Sequence, residues 1–182
     1  MPYLFRWVLR LPRGPQSPRN LKRILQPRSG ERILEIGPGI GTHALPIASS
    51  LLPNGALDVL DVQQEMLDNV NRRAARRGIT NIVATRGDAL SLPYSDHTFD
   101  AAYMIGVLGE VPDQAAALRE IRRVLKPAGR LIVGEVVVDP DYIALARLKK
   151  EASEAGLIFE EKAGPFMAYF ALFRASTVLP SG

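Results

Sequence analysis

The run Glu35-Ile-Gly-Pro-Gly-Ile-Gly41 sets three glycines at alternate positions behind a carboxylate. That pattern suits a backbone lying against a bound molecule, because glycine turns sharply and lacks the Cβ that would collide with a ligand. The apolar stretch Arg32–Gly37 leads into it and a segment of helical period, Thr42–Leu52, follows. The amides of that helix start point into the same crevice. Twenty residues past Gly41, Asp61 closes the next apolar run. A carboxylate there accepts hydrogen bonds from both hydroxyls of a ribose, and it can also cap the following helix. The dinucleotide fingerprint G-x-G-x-x-G is the nearest rival, but Thr42 stands where its third glycine belongs.

The elements that must hold these residues alternate. Ala56–Val62, Asn81–Thr85, Phe99–Val107 and Gly129–Val138 read as further strands, with Gln63–Arg77 and Asp113–Leu125 as helices. Met66, Leu67, Val70 and Ala74 share one face of the first of these helices, and Gly78 closes it. Such alternation predicts an α/β fold, a mostly parallel sheet with helices on both faces. The last forty residues change character: a helix over Tyr142–Ala155, then strands Leu157–Lys162 and Tyr169–Ala175 joined through Gly164 and Pro165. Parallel strands need a long crossover, so this pair is predicted to be an antiparallel hairpin at the sheet edge. Five strands and a hairpin make seven.

Glu35–Gly41, LDVQQEML (Leu60–Leu67), Gly87-Asp88-Ala89, Phe99–Gly109 and LKPAGRLIV (Leu125–Val133) occur in an order and at spacings that resemble the class I S-adenosylmethionine-dependent methyltransferases, most closely the UbiE-like, type 11 group. The resemblance covers about residues 30–135 well and the C-terminal third more loosely. It implies a Rossmann-like sheet of order 3-2-1-4-5-7-6 with strand 7 antiparallel. It implies S-adenosyl-L-methionine as cofactor, with S-adenosyl-L-homocysteine as product. By the same resemblance Glu35 orients the glycine loop and the methionyl end, while Gly37, Gly39 and Gly41 cradle the cofactor. Asp61 holds the ribose, and Val62 and Met66 lie against the adenine. Asp88 accepts from the adenine amino group, the Ala89 amide donates to the ring, and Ile105 and Gly106 line the methionyl portion.

A methyl group on a sulfonium is already activated, so alignment of the nucleophile is the main task, and a base is needed only for an acceptor that must lose a proton. Many relatives carry histidine after strand four. This chain reads Val107-Leu-Gly-Glu-Val-Pro-Asp113 instead, which makes Glu110 the candidate catalytic residue, as a base or as the holder of a cationic acceptor. His43 and Glu135 are weaker candidates, and His97 reads as a turn residue. The run Gly164–Tyr169 (GPFMAY) is a candidate apolar wall for an acceptor. The expected function is methyl transfer to a small-molecule or lipid acceptor. A cofactor-binding scaffold without turnover and an NAD-type oxidoreductase are the alternatives.

With 182 residues the chain suits one domain. It has no cysteine, which excludes disulfides, thiolate metal sites and thiol nucleophiles, and its two histidines are too few for a histidine-based metal centre; no metal is expected. No apolar run reaches the roughly 20 residues that span a bilayer, and no signal-peptide pattern opens the chain, so the expected compartment is the cytoplasm. Residues 1–32 hold eight basic side chains against one acidic, or +7, leaving −3 for the remainder. The organisation expected is a basic, proline-broken arm over 1–30 and a domain over 31–182. Within the arm, Tyr3–Leu11 (YLFRWVLRL) sets Arg6 and Arg10 one helical turn apart in an apolar run. Two readings stand for it: packing on the domain or on a second subunit of a homo-oligomer, or a peripheral membrane anchor or lid. Arg72, Arg73, Arg76 and Arg77 read as a solvated helix face near a helix C-terminus, and no nucleic-acid partner is expected.

Overall fold

The computed structural model describes residues 14–177, so Tyr3–Leu11 lies outside the described residues. The strands are β1 (Arg32–Ile36), β2 (Ala56–Asp61), β3 (Ile82–Arg86), β4 (Phe99–Ile105), β5 (Leu125–Val136), β6 (Leu157–Ala163) and β7 (Ala168–Ala175). The α-helices are α1 (Pro18–Leu25), α2 (Ala44–Leu51), α3 (Gln64–Ala75), α4 (Gln114–Val124) and α5 (Leu145–Glu154). One seven-stranded sheet runs β3-β2-β1-β4-β5-β7-β6. Its first five strands pair in parallel, and β7 is antiparallel to both β5 and β6. The winding reverses between β1 and β4, so the loops leaving their C-terminal ends diverge and open a crevice.

Period-two alternation sends each strand's side chains to two separate cores. Leu34, Ile36, Ala102, Met104, Leu131, Val133, Ala171 and Phe173 face the layer built by α4 and α5. Ile33, Ala101, Tyr103, Ile105, Ile132, Phe170 and Leu172 face the layer of α1, α2 and α3. The strand predicted from Gly129 begins instead at Leu125, which pairs with Phe99 before the register shifts and Arg130 meets Ala101. Ala128, at φ +59°, lies in that irregular stretch.

Within the span assigned to the arm, helix α1 packs on the core of the domain. In α1, Leu21, Ile24 and Leu25 are buried against α2 and the sheet. Their i, i+3, i+4 spacing makes one apolar stripe. Pro18 stands at the helix start, where no amide hydrogen is needed, and Ser17 Oγ accepts from the Asn20 amide at 3.4 Å. A proline that seemed to break the arm therefore begins its helix.

Candidate functional site

The glycine loop leaves β1 with all three glycines at positive φ, +69° at Gly37, +52° at Gly39 and +76° at Gly41, but they serve different ends. A Cβ on Gly37 would stand 2.4 Å from Val107 Cγ2, so its absence lets the loop after β4 close against the loop after β1. A Cβ on Gly41 would press on Leu45 Cδ1 at 3.0 Å and Val70 Cγ2 at 3.2 Å, so that glycine seats the loop between α2 and α3. Around Gly39 no atom comes within 4 Å of the missing Cβ. There the backbone is bare and the space beside it open. Arg73, read from sequence as solvated, donates from Nη1 to the Ile40 carbonyl and props the loop from α3.

Glu35 is buried in register with Tyr103 on β4, and Tyr103 donates its hydroxyl to Glu35 Oε2 at 2.9 Å. Burial pushes the Tyr103 pKa well up and the Glu35 charge adds to it, so the phenol stays a neutral donor and the carboxylate keeps its orientation. Asp61 is half-buried at the end of β2. Its Oδ1 accepts from the Gln63 amide at 2.9 Å. Burial raises its pKa, with the Gln63 and Val62 amides opposing. The turn into α3 thus fixes the carboxylate at the crevice, and the capping and ligand-binding roles are compatible.

Val62 is exposed beside Asp61, and Met66 is half-buried, whereas Leu67, Val70 and Ala74 form the core face of α3. Met66 therefore lies at the margin of the core. Asp88 is exposed and holds its turn by accepting from the Leu90 amide at 2.9 Å, with Ala89 buried beside it. Ile105 is buried, and Gly106 donates to the Gly134 carbonyl at 2.8 Å. Bonds from Gly37 to the Leu60 carbonyl (2.8 Å) and from Gly87 to the Asp61 carbonyl (3.1 Å) lace the ends of β1, β2 and β3 together. The structure thus brings the predicted residues to the C-terminal ends of four adjacent strands. Bare backbone at Gly39 and fixed carboxylates on the adjacent strand ends fit a nucleoside with hydroxyl and amino donors.

On the β4–β5 side, Glu110 ends the 3-10 turn Leu108–Glu110. It is exposed overall, yet enough protein surrounds its carboxyl to raise its pKa, and Asp139, Asp141 and Asp61 add to the rise. Glu135 is buried, and burial pushes its pKa up to about 7, opposed by the Ile143 amide and reinforced by Asp139, Asp141 and Glu110. His43 is withdrawn from this chemistry: it is buried, with Nε2 2.9 Å from the Gln16 carbonyl, where it ties the segment before α1 to α2. His97 is a turn residue at φ +54°, with Nδ1 3.0 Å from the Leu125 carbonyl. In the predicted apolar wall, Phe166 and Met167 are exposed, but Tyr169 is buried and donates to the Ile143 carbonyl at 2.7 Å. Alternation along β7 puts Tyr169 in the core.

A cavity of about 310 Å³ lies between α1 and the β6–β7 turn, lined by Asn20, Arg23, Gly164, Pro165 and Phe170 among others. None of the predicted cofactor residues lines it. Sequence reading missed four residues that shape the site: Tyr103, Arg73, Asp139 and Asp141. Only Tyr103 had a signal, its place one strand over from Glu35.

The sheet order and the glycine loop followed by an acidic strand end define the class I methyltransferase fold. The chain belongs to the methyltransferase domain family, whose model matches residues 27–170. It is 30% identical over 139 residues to 27-O-demethylrifamycin SV methyltransferase of Amycolatopsis mediterranei, covering 75% of this chain and 50% of that protein. It is 38% identical over 109 residues to the ubiquinone/menaquinone biosynthesis C-methyltransferase UbiE of Cellvibrio japonicus, covering 59% of this chain and 44% of that protein. The chain spans one third to one half of the length of the curated relatives it matches. Among solved structures, a SAM-dependent methyltransferase from Aquifex aeolicus superimposes with a TM-score of 0.81 at 17% identity, covering 96% of this chain and 94% of that one. The [4+2]-cyclase SpnF superimposes with a TM-score of 0.78 at 20% identity, covering 88% and 80%. These two likenesses establish the fold.

Proposed function

We propose that this chain transfers a methyl group from S-adenosylmethionine to a small-molecule or lipid acceptor. The observation that carries the reading is the open, side-chain-free backbone at Gly39 on the loop leaving β1, with fixed carboxylates at Glu35 on β1 and at Asp61 closing the neighbouring β2. The bound cofactor supplies a methyl group made electrophilic by its sulfonium. Asp61 accepts from the ribose hydroxyls, with Val62 and Met66 against the adenine. Asp88 and the Ala89 amide meet the adenine edge. Glu35, steadied by Tyr103, orients the glycine loop at the methionyl end, which Ile105 and Gly106 line. Glu110 takes up a proton or faces positive charge on the acceptor. Relatives named for methylating a rifamycin and a quinone support an acceptor of small-molecule type.

S-adenosylhomocysteine is expected to raise the melting temperature by linkage, and NAD is not. Asp61→Ala removes a charged acceptor worth roughly 1.5–3 kcal/mol, so affinity measured by calorimetry should fall about tenfold or more in a protein that still folds. Stabilisation by NAD alone would overturn the cofactor; unchanged affinity in Asp61→Ala would remove the ribose role.

Among the described residues no helix is long and apolar enough to cross a membrane. Our reading places the enzyme in the cytoplasm, with Tyr3–Leu11 and the basic residues after it as a peripheral contact for anionic lipid. Each basic group near such a surface adds about 1 kcal/mol, and salt screens it. Sedimentation with anionic vesicles should therefore fall as salt rises. No binding at low salt would leave the segment packed on the domain or on a second subunit.

A further inference from the structure

The loops after β4 and β5 gather Glu110, Glu135, Asp139 and Asp141, and among the described residues no lysine, arginine or histidine forms an ion pair with any of the four. Their mutual effect is visible in the raised pKa of Glu110 and Glu135: burial is the largest cause in both, and Asp139 and Asp141 push each further up. Like charges without a paired cation among the described residues raise one another's pKa, and a bound cation would relieve them.

Glu135 supplies an independent sign of one. It is 1% exposed, its Oε2 accepts only a long bond from the Ile143 amide at 3.4 Å, and its Oε1 has no hydrogen-bond partner. A buried acceptor left without a donor is costly. The groups facing it are Asp139 and Asp141 from the segment after β5, Glu110 from the turn after β4, and Tyr169 from β7, whose hydroxyl is committed to the Ile143 carbonyl. None of them can donate to Oε1 or balance its charge as a cation.

The residue spacing selects the kind of cation. Among the described residues no three carboxylates or imidazoles stand close enough to hold a metal ion. An ammonium group has three donors of its own and can meet carboxylates that are further apart. Beside the cluster, Val138, Phe166 and Met167 are 80%, 79% and 53% exposed. The Val137 amide donates to the Met167 carbonyl at 2.9 Å and binds this apolar rim to the acidic loop. A hydrocarbon substituent on the cation would cover that rim.

We propose that the crevice between the loops after β4 and β5 binds a protonated amine bearing an apolar substituent, donating to Glu135 Oε1 and facing Glu110, Asp139 and Asp141, and that this amine is the acceptor class. One N–H proton would pass to the Glu135 carboxylate, and the freed nitrogen lone pair would form the N–CH3 bond as the S–CH3 bond breaks, its electron pair staying on sulfur. The word acceptor rests on the methyl-transfer reading; the binding does not. The two loops touch where a Cβ on Gly109 would meet the Asp141 carbonyl oxygen at 1.8 Å.

The test uses benzylamine and n-hexylamine, with benzyl alcohol and n-hexanol as uncharged controls, titrated calorimetrically at pH 7 with and without saturating S-adenosylhomocysteine. Both amines should bind at least about tenfold more tightly than their alcohols, the value of one charged hydrogen bond, and more weakly as salt rises. Because Glu135 titrates at about 7, a bound ammonium should expel roughly half a proton at that pH, read from two buffers of different ionisation enthalpy. Glu135→Gln should lose about tenfold in amine affinity and all of the proton release, with S-adenosylhomocysteine affinity intact. Asp141→Asn should weaken the amine while keeping the proton release. Alcohols binding as well as amines, no amine binding, or unchanged affinity and proton release in Glu135→Gln would overturn the proposal. S-adenosylhomocysteine failing to bind while amines do would remove the methyl-transfer reading and leave the amine site standing.

Discussion

Glu135→Gln is expected to stabilise the protein above neutral pH and to leave it unchanged in acid. The folded state raises the Glu135 pKa from the ordinary 4.5 to about 7. Below about 4.5 the group is protonated in both states, and its charge opposes nothing. As pH rises through the window from 4.5 to about 7, the unfolded chain releases the proton first, so wild-type stability falls across that window and is flat above it. The gap corresponds to about 3 kcal/mol, or roughly 6–12 °C in melting temperature for a chain of this size. The glutamine variant carries no such charge. Its advantage over wild type should grow from near zero at pH 4.5 to the full amount at pH 8, measured by urea unfolding across pH. An equal difference at every pH would mean that Glu135 is not held uncompensated in the fold. A charge retained against stability marks a functional position, in keeping with the amine site.

The second large effect separates two glycines that look alike in sequence. Gly37→Ala forces a left-handed backbone on alanine, about 1–2 kcal/mol, and drives its Cβ to within 2.4 Å of Val107 Cγ2. Overpacking of this kind adds roughly 1–3 kcal/mol. The expected loss is therefore about 2–5 kcal/mol of stability, with displacement of the loop after β4 and failure to bind S-adenosylhomocysteine. Gly39→Ala meets the backbone strain alone, since no atom lies within 4 Å. It should cost only about 1–2 kcal/mol yet weaken the same ligand about tenfold or more, because its methyl group enters the open space. Denaturation midpoints and calorimetry on the two variants check both. Gly39→Ala binding as wild type does would place the cofactor elsewhere.

The alternation of apolar runs and helical segments in the sequence determined a mostly parallel sheet with helices on both faces, while its strand order was implied by the family resemblance. Gly164 and Pro165 in a short connection determined the antiparallel end by the same reach argument, and the hairpin of β6 and β7 pairs that way. Positions fixed by local backbone chemistry were legible too: the glycine loop, Asp61 at the strand end and His97 in its turn.

What the tertiary structure decided were matters of who meets whom across the chain. Pro18 begins a helix because Leu21, Ile24 and Leu25 find the α2 side of the sheet, a contact that no local pattern announces. His43 is lost to the site because the Gln16 carbonyl reaches it, and Arg73 becomes a prop of the glycine loop because α3 packs beside Ile40. Glu135 offered only its type and its place near a strand end. Its unpartnered oxygen and its three acidic neighbours depend on how the loops after β4 and β5 fold over it. Periodicity and glycine spacing are properties of neighbours in sequence, whereas burial and pairing of charge depend on groups far apart along the chain, and only the packed fold sets those distances.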